Sequence, residues 1–238
     1  MRIPLAPAGR REMFLITLLF GGIAALAAVL ASQGYVYLWL VAFIFGLAWI
    51  GGLLFFRDPE RQSPQEPGIL VAPADGRVTE ITRLDHHEDI GGPAVRIGIF
   101  LSVFNVHINR VPCDGTVRDV RYRPGKFLDA RHPESGIVNE ANTVVFDTPQ
   151  GPIVVRQVVG LIARRIVCDL KPGDRVTLGQ RMGLIKFGSR TELIVPEGRY
   201  EPAVRVGDVT VGAVTIMARL VASSDTSAAA QTVEAGRV

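Results

Sequence analysis

Cysteine is almost missing from this 238-residue chain: Cys113 and Cys168 are the only two, and neither belongs to a CxxC pair. That excludes a disulfide framework and a paired-thiol motif, and it fits a reducing cytosolic setting. No run of Lys and Arg with interleaved aromatics occurs, and the formal net charge is only +3, so nucleic acid is not an expected partner. A serine-hydrolase elbow of the form GxSxG is absent around Ser189, and so is a Ser-x-x-Lys order. Beyond residue 69 no segment keeps a helical period for three turns, which excludes a helical bundle.

Charge is missing from two N-terminal stretches. Residues 13–32, "MFLITLLFGGIAALAAVLAS", and 35–56, "YVYLWLVAFIFGLAWIGGLLFF", hold no charged side chain, Glu12 standing just before the first. Each approaches the roughly 20 apolar residues that cross a hydrocarbon core. A secretory signal has a shorter apolar part and a small-residue cleavage site after it, not a second apolar run. The spacing therefore predicts a membrane helical hairpin, its connection limited to Ser32, Gln33 and Gly34. Arg2, Arg10 and Arg11 precede it and Arg57 and Arg61 follow it, so the basic flanks share one side. By the positive-inside tendency that side is the cytoplasm, with the rest of the chain on the cytoplasmic face of the inner membrane. A mildly basic body, with a pI near 9.1, is also drawn to anionic headgroups.

Past the Pro-rich stretch "RDPERQSPQEPG", short segments rich in Val and Ile alternate with Gly, Pro and Asp punctuation, as in "AVRIGIFL", "NTVVFD", "IVVRQVVGLI" and "TELIVP". The expected fold is mainly β (α+β), a barrel-sandwich-like body carrying the N-terminal transmembrane hairpin. "KPGDRVTLGQRMGLI" has the turn cadence of barrel-sandwich folds such as lipoyl carriers, although no lysine occupies a carrier's hairpin tip. The expected organisation is a cytoplasmic N-terminus at 1–12, the hairpin at 13–56, a linker at 57–68, a catalytic β-rich domain at 69–221 and a disordered tail at 222–238.

The stretch "IKFGSRTELIVP" places Gly188 and Ser189 between two strand-like runs, where a Gly-Ser hairpin turn is the plain reading. Ser189 becomes a nucleophile only with a base within hydrogen-bond reach. His86 and His87 are adjacent in a polar stretch and His132 precedes a proline in another, so all three read as solvated loop. His107 instead follows an apolar strand in "RIGIFLSVFNVHINRVP", which makes it the candidate base. Asp75 in "PADGRV" or Asp114 in "PCDGTV" could supply the carboxylate that orients it, and spacing alone leaves that pair open.

In this order, "APADGRV", "FLSVFNVHINRVP", "YRPGKFLDARHPES", "VRQVVGLIARRIVC" and above all "GLIKFGSR" resemble the phosphatidylserine decarboxylase proenzymes, of the short kind carrying Gly-Ser-Arg. The resemblance implies that Ser189 attacks the Gly188 carbonyl. The chain would be cut into a β subunit (1–188) and an α subunit (189–238), and Ser189 would become a covalent pyruvoyl cofactor. That group would form a Schiff base with phosphatidylserine and release phosphatidylethanolamine, with no metal or separate cofactor implied. Asp75 and His107 match the acid and base of self-cleavage. Arg110 stands where the longer enzymes carry a second histidine, and an arginine cannot act as a base. It, Asn139 and Glu140 are the expected substrate-binding residues. Partners so implied are phosphatidylserine, the bilayer and the chain's own two subunits, with a homo-oligomer left open. Two rival classes predict different outcomes. A membrane-tethered non-catalytic barrel-sandwich adaptor would stay uncut, and a membrane serine hydrolase would use Ser189 with His107 or Lys186.

Overall fold

The computed structural model describes residues 4–132, 134–161, 165–186 and 188–221. Arg2 and the 222–238 tail lie outside the described residues.

A 3-10 turn at Pro7–Gly9 leads into α1 (Arg10–Ile16), a π-helical stretch (Thr17–Gly21) and α2 (Gly22–Ser32); α3 follows at Leu38–Phe55. The first helix begins ahead of its apolar run because Pro7 suits a first helical position, where its missing N–H costs nothing. Its end differs from the expected connection. Ser32 is the last helical residue, and the link runs on to Tyr37. Gly34 explains this: at φ +111° it lets its own N–H bond the Ala31 carbonyl at 3.2 Å and the Tyr35 N–H bond the Leu30 carbonyl at 3.4 Å. That is a Schellman cap, which closes the helix and turns the chain before α3 can start. The helices are antiparallel neighbours. Ile16 meets Gly52, Trp49 Nε1 donates to Thr17 Oγ1 at 3.1 Å, and the Phe20 and Phe45 rings lie 6.0 Å apart. Phe14, Leu18, Leu26, Phe43 and Leu47 point outward and are more than half exposed. Two helices this long and this apolar, with their side chains outward, form a membrane-associating element rather than the core of a soluble domain.

The body is mainly β, as the alternation of Val- and Ile-rich segments led one to expect. In chain order its strands are β1 (Ile69–Val71), β2 (Gly76–His87), β3 (Gly92–Leu101), β4 (Ile108–Arg110), β5 (Gly115–Arg123), β6 (Ala141–Thr148) and β7 (Gly151–Val159). Then come β8 (Ile166–Cys168), β9 (Arg175–Val176), β10 (Arg181–Ile185), β11 (Ser189–Pro196), β12 (Tyr200–Pro202), β13 (Val209–Thr210) and β14 (Ile216–Leu220), with one helical turn, α4, at Ser135–Val138. The large sheet runs β13-β2-β3-β11-β7-β6-β5-β9, and two small ones run β1-β14-β12 and β4-β10-β8. All pairings between these strands are antiparallel. Alternate residues such as Ile97, Ile99 and Leu101 of β3 and Leu193 and Val195 of β11 enter the main core. Ala94, Val154 and Ile194 fill a second cluster. β11 is buried from Ser189 through Val195, the environment of a central strand covered on both faces.

Two expectations are corrected here. Gly188-Ser189 is not a hairpin turn: β10 and β11 belong to different sheets, and β11 pairs instead with β3 and β7. His86 and His87 are not in a loop but end β2, whose pairing with β3 continues to His87 opposite Gly92. Both errors share a cause. A short polar run was read locally, whereas strand pairing is decided by partners distant in sequence.

Candidate active site

Ser189 opens β11, its backbone paired with Leu101 on one side and Val159 on the other. It is completely buried, and its Oγ has no hydrogen-bond partner. His107 lies just before β4, also completely buried, and its Nε2 is likewise unpartnered. Leaving a buried polar atom unsatisfied costs about 1–3 kcal/mol, and Ser189 Oγ and His107 Nε2 are each left without a partner to engage another group. The two segments are tied together two residues further along each. Asn109 Nδ2 donates to Thr191 Oγ1 at 3.0 Å, and Gln157 Nε2 donates to Asn109 Oδ1 at 2.8 Å.

The tautomer of His107 follows from its other nitrogen. Nδ1 lies 3.0 Å from the Asn105 carbonyl oxygen, which can only accept, so Nδ1 carries the proton and Nε2 presents a lone pair. Burial pushes the imidazole down to about 4; the Asn105 bond opposes this, Arg57 adds to it, and Asp75 opposes it more weakly. The ring is therefore neutral at physiological pH, the state a general base requires.

Asp75 acts on His107 through its field rather than by contact. Its carboxylate is held by Arg61, at 2.5 and 2.8 Å, and by the Gly212 N–H at 2.8 Å. Asp114, the other carboxylate left open, accepts from the Leu178 N–H at 2.8 Å.

The Gly188 carbonyl is closely approached by a neighbouring backbone. Gly188 sits at φ +50°, a left-handed conformation that suits glycine. A Cβ built on Gly160 would lie 2.2 Å from the Gly188 oxygen and 3.1 Å from its carbon, so Gly160 is what lets the two backbones approach. Gly160→Ala is expected to displace that carbonyl and slow any reaction there about a hundredfold, the order that misplacing a reacting group by an ångström costs. A time course of chain cleavage on a denaturing gel checks it, and unchanged cleavage would remove Gly160 from the site.

The three residues expected to bind substrate make the following contacts within the chain. Arg110 bonds the buried Asp58 carboxylate, which Arg181 also holds, and reaches the Pro59 carbonyl at 3.2 Å. Asn139 spends its amide on the Leu128 and Val159 carbonyls, both at 2.9 Å, and accepts from the Leu128 N–H at 3.0 Å. The Glu140 backbone pairs with Lys126 and Val159. These contacts brace the loop over the end of β7. Arg190, for which the sequence offered no reading, is buried and paired with Glu80 at 2.5 Å and Glu192 at 2.8 Å. It anchors β11 from the face opposite Ser189.

Sequence reasoning missed the part played by the hairpin. The Phe55 ring packs on His107 with centroids 4.4 Å apart. Lys186, just ahead of the Gly188-Ser189 pair, donates to Glu12 at 2.7 Å. Lys186 is thus engaged and is no free base for a hydrolase. Beside Gly188 a cavity of about 390 Å³ opens between Phe100, Val103 and Leu161, with Asp129 and Arg131 on its wall. Among the described residues no cluster of His, Cys, Asp and Glu is arranged to hold a metal ion.

Known proteins are similar in sequence to this chain. The family model for phosphatidylserine decarboxylase matches residues 53–218. The phosphatidylserine decarboxylase proenzyme of Granulibacter bethesdensis is 42% identical over 207 residues, covering 85% of this chain and 82% of the relative. That of Magnetococcus marinus is 40% identical, covering 88% of this chain and 94% of the relative. That of Carboxydothermus hydrogenoformans is 38% identical, covering 84% and 94%. With the match spanning hairpin base, histidine segment and Gly-Ser pair alike, the chain belongs to the phosphatidylserine decarboxylase family.

Proposed function

We propose that this chain is a proenzyme that cuts itself between Gly188 and Ser189 and then decarboxylates phosphatidylserine to phosphatidylethanolamine at the cytoplasmic face of the inner membrane. The observation that carries the reading is the pair of buried, unpartnered atoms, Ser189 Oγ and His107 Nε2.

The Ser189 hydroxyl proton passes to His107 Nε2 as Oγ bonds the Gly188 carbonyl carbon. Breakage of the Gly188–Ser189 C–N bond, with the proton returned to the leaving amine, leaves an ester. Loss of the Ser189 Cα proton then expels the Gly188 carboxylate. Tautomerisation and hydrolysis of the resulting enamine release ammonia and leave a ketone at residue 189. Cutting here need not separate the products, because β11 is held by β3 on one side and β7 on the other rather than by the strand it follows. The Arg190 ion pairs would keep the new terminus seated.

The pyruvoyl group, once formed, supplies a ketone that condenses with a primary amine and an electron sink for the pair left by carbon dioxide. The protein's own residues do the rest. The apolar wall of Phe100, Val103 and Leu161 suits the acyl part of a lipid, Arg131 stands on the same wall paired with Asp129, and neutral His107 can hold and return a proton at Nε2. The Glu12–Lys186 and Phe55–His107 contacts make the hairpin a support for the site as well as an anchor.

The test is turnover by the purified chain on phosphatidylserine vesicles. Carbon dioxide and phosphatidylethanolamine are expected, and borohydride, which reduces a ketone, should abolish the activity while serine-directed phosphonates leave it intact. Inhibition by the phosphonate and not by borohydride would favour a serine hydrolase.

A further inference from the structure

The Ser102–Asn105 turn exposes an apolar tip where nothing in the body's own packing calls for one. Phe104 is 85% exposed and Val103 40%, while Leu161, across the cavity from Val103, is 64% exposed. The tip is rigid. The Ser102 N–H and hydroxyl both donate to Asn105 Oδ1, at 2.9 and 2.8 Å, and the Asn105 N–H donates to the Ser102 carbonyl at 2.9 Å. It is also tied to the membrane hairpin: Arg57 Nη1 donates to the Leu54 carbonyl at 2.9 Å, closing the end of α3, and its Nη2 donates to the Phe104 carbonyl at 2.5 Å. The tip therefore stands level with the point where α3 leaves the apolar layer. Leu5, itself exposed, bridges to Arg57 and continues the same apolar rim.

We infer that this turn is a second membrane contact, with Phe104 and Val103 seated in the bilayer interface beside the base of the hairpin. The mouth of the cavity over Gly188 then opens at headgroup depth, and a lipid enters it sideways from the leaflet without leaving the membrane. The occupant is a lipid surface rather than a protein because the patch is continuous with the helices that face lipid, and because Arg57 stands beside it with charge suited to anionic headgroups. An aromatic side chain beside arginine at such a boundary buries its ring while the cation stays in the polar layer. The same turn holds the Asn105 carbonyl that fixes His107, and its own hydrogen bonds keep that carbonyl in place whether or not the tip is seated. The inference deepens the proposed function and rests on it for the identity of the lipid, but its first test does not need turnover.

That test is Phe104→Trp in a Trp39→Phe/Trp49→Phe background, reconstituted in phosphatidylcholine–phosphatidylserine vesicles. Acyl chains brominated near the headgroup should quench the indole at 104 more than chains brominated near their ends, and aqueous iodide should quench it little. Strong iodide quenching with no bromine quenching would overturn the inference. As a second arm, Phe104→Asp should raise KM for vesicle phosphatidylserine about tenfold, the order set by losing part of one buried aromatic side chain. Its kcat, and its rate on a short-chain phosphatidylserine dissolved as monomers, should match the parent. An unchanged KM on vesicles counts against the inference. Bromine quenching in a protein that turns over no phosphatidylserine would sink the proposed function and leave the membrane contact standing; normal turnover without quenching would do the reverse.

Discussion

Replacing Ser189 with alanine is expected to leave a single 25.8 kDa chain with no measurable decarboxylase activity. The hydroxyl is both the attacking group and, once acylated, the group expelled with the Gly188 carboxylate to open the way to the ketone, and an alanine methyl can do neither. The loss should be chemical and not structural. Ser189 is fully buried and its Oγ bonds nothing, so alanine removes an unsatisfied polar atom from the interior and leaves the backbone pairs with Leu101 and Val159 in place. Removing such an atom is neutral or mildly stabilising, by up to about 1 kcal/mol. A denaturing gel, a decarboxylation assay and a melting curve together check this. Two fragments from the variant, or an unfolded protein in place of an intact uncut one, would contradict it.

His107→Ala should slow cleavage by at least about a hundredfold, the usual contribution of a positioned general base. Because alanine also leaves a void against Phe55, His107→Gln is the better companion variant. It fills most of the space and can hydrogen-bond, but it cannot take up a proton. Added imidazole should partly restore cleavage in the alanine variant only. The buried ring also sets the pH behaviour. With its folded-state value pushed down to about 4, His107 stays neutral from alkaline pH down to about pH 5, so cleavage by the parent chain should be flat over that range and fall below it. The stability consequence has a definite sign. Unfolding frees the imidazole to take a proton near its ordinary value of about 6.5, so stability is full above that pH. It is lost as pH falls from there towards 4, by on the order of 3 kcal/mol for this residue. A rise in stability on acidification through that window would show that His107 is not held neutral by burial.

What the sequence discloses here, it discloses through local chemistry. The hairpin is legible because a bilayer demands long uncharged runs, whereas Ser189 and His107 were singled out through the family resemblance, the residues alone reading as a turn and a histidine after an apolar strand. The partners of β11 were not legible. A Gly-Ser pair between two apolar runs is the local signature of a hairpin, and only the pairings with β3 and β7 override it. Arg110 was singled out because it stands where the longer relatives carry a second histidine, and no spacing in the sequence announced its ion pair with Asp58 of the linker. Phe55 and Glu12 looked like ordinary members of a membrane segment and its edge. Their contacts with His107 and Lys186 join residues far apart in the chain, and no spacing rule announces such contacts. Gly160 lay within a quoted motif, and its meaning emerged only with the Gly188 oxygen placed against it.

The most direct measurement is the intact mass of the purified protein, read with the chemistry of its new end. Two species are expected, residues 1–188 ending in a free carboxylate and residues 189–238 beginning with a keto group that resists Edman degradation and reacts with hydroxylamine. A single uncut mass from active protein, or a second fragment beginning with an ordinary serine amine, would show that residue 189 is not converted.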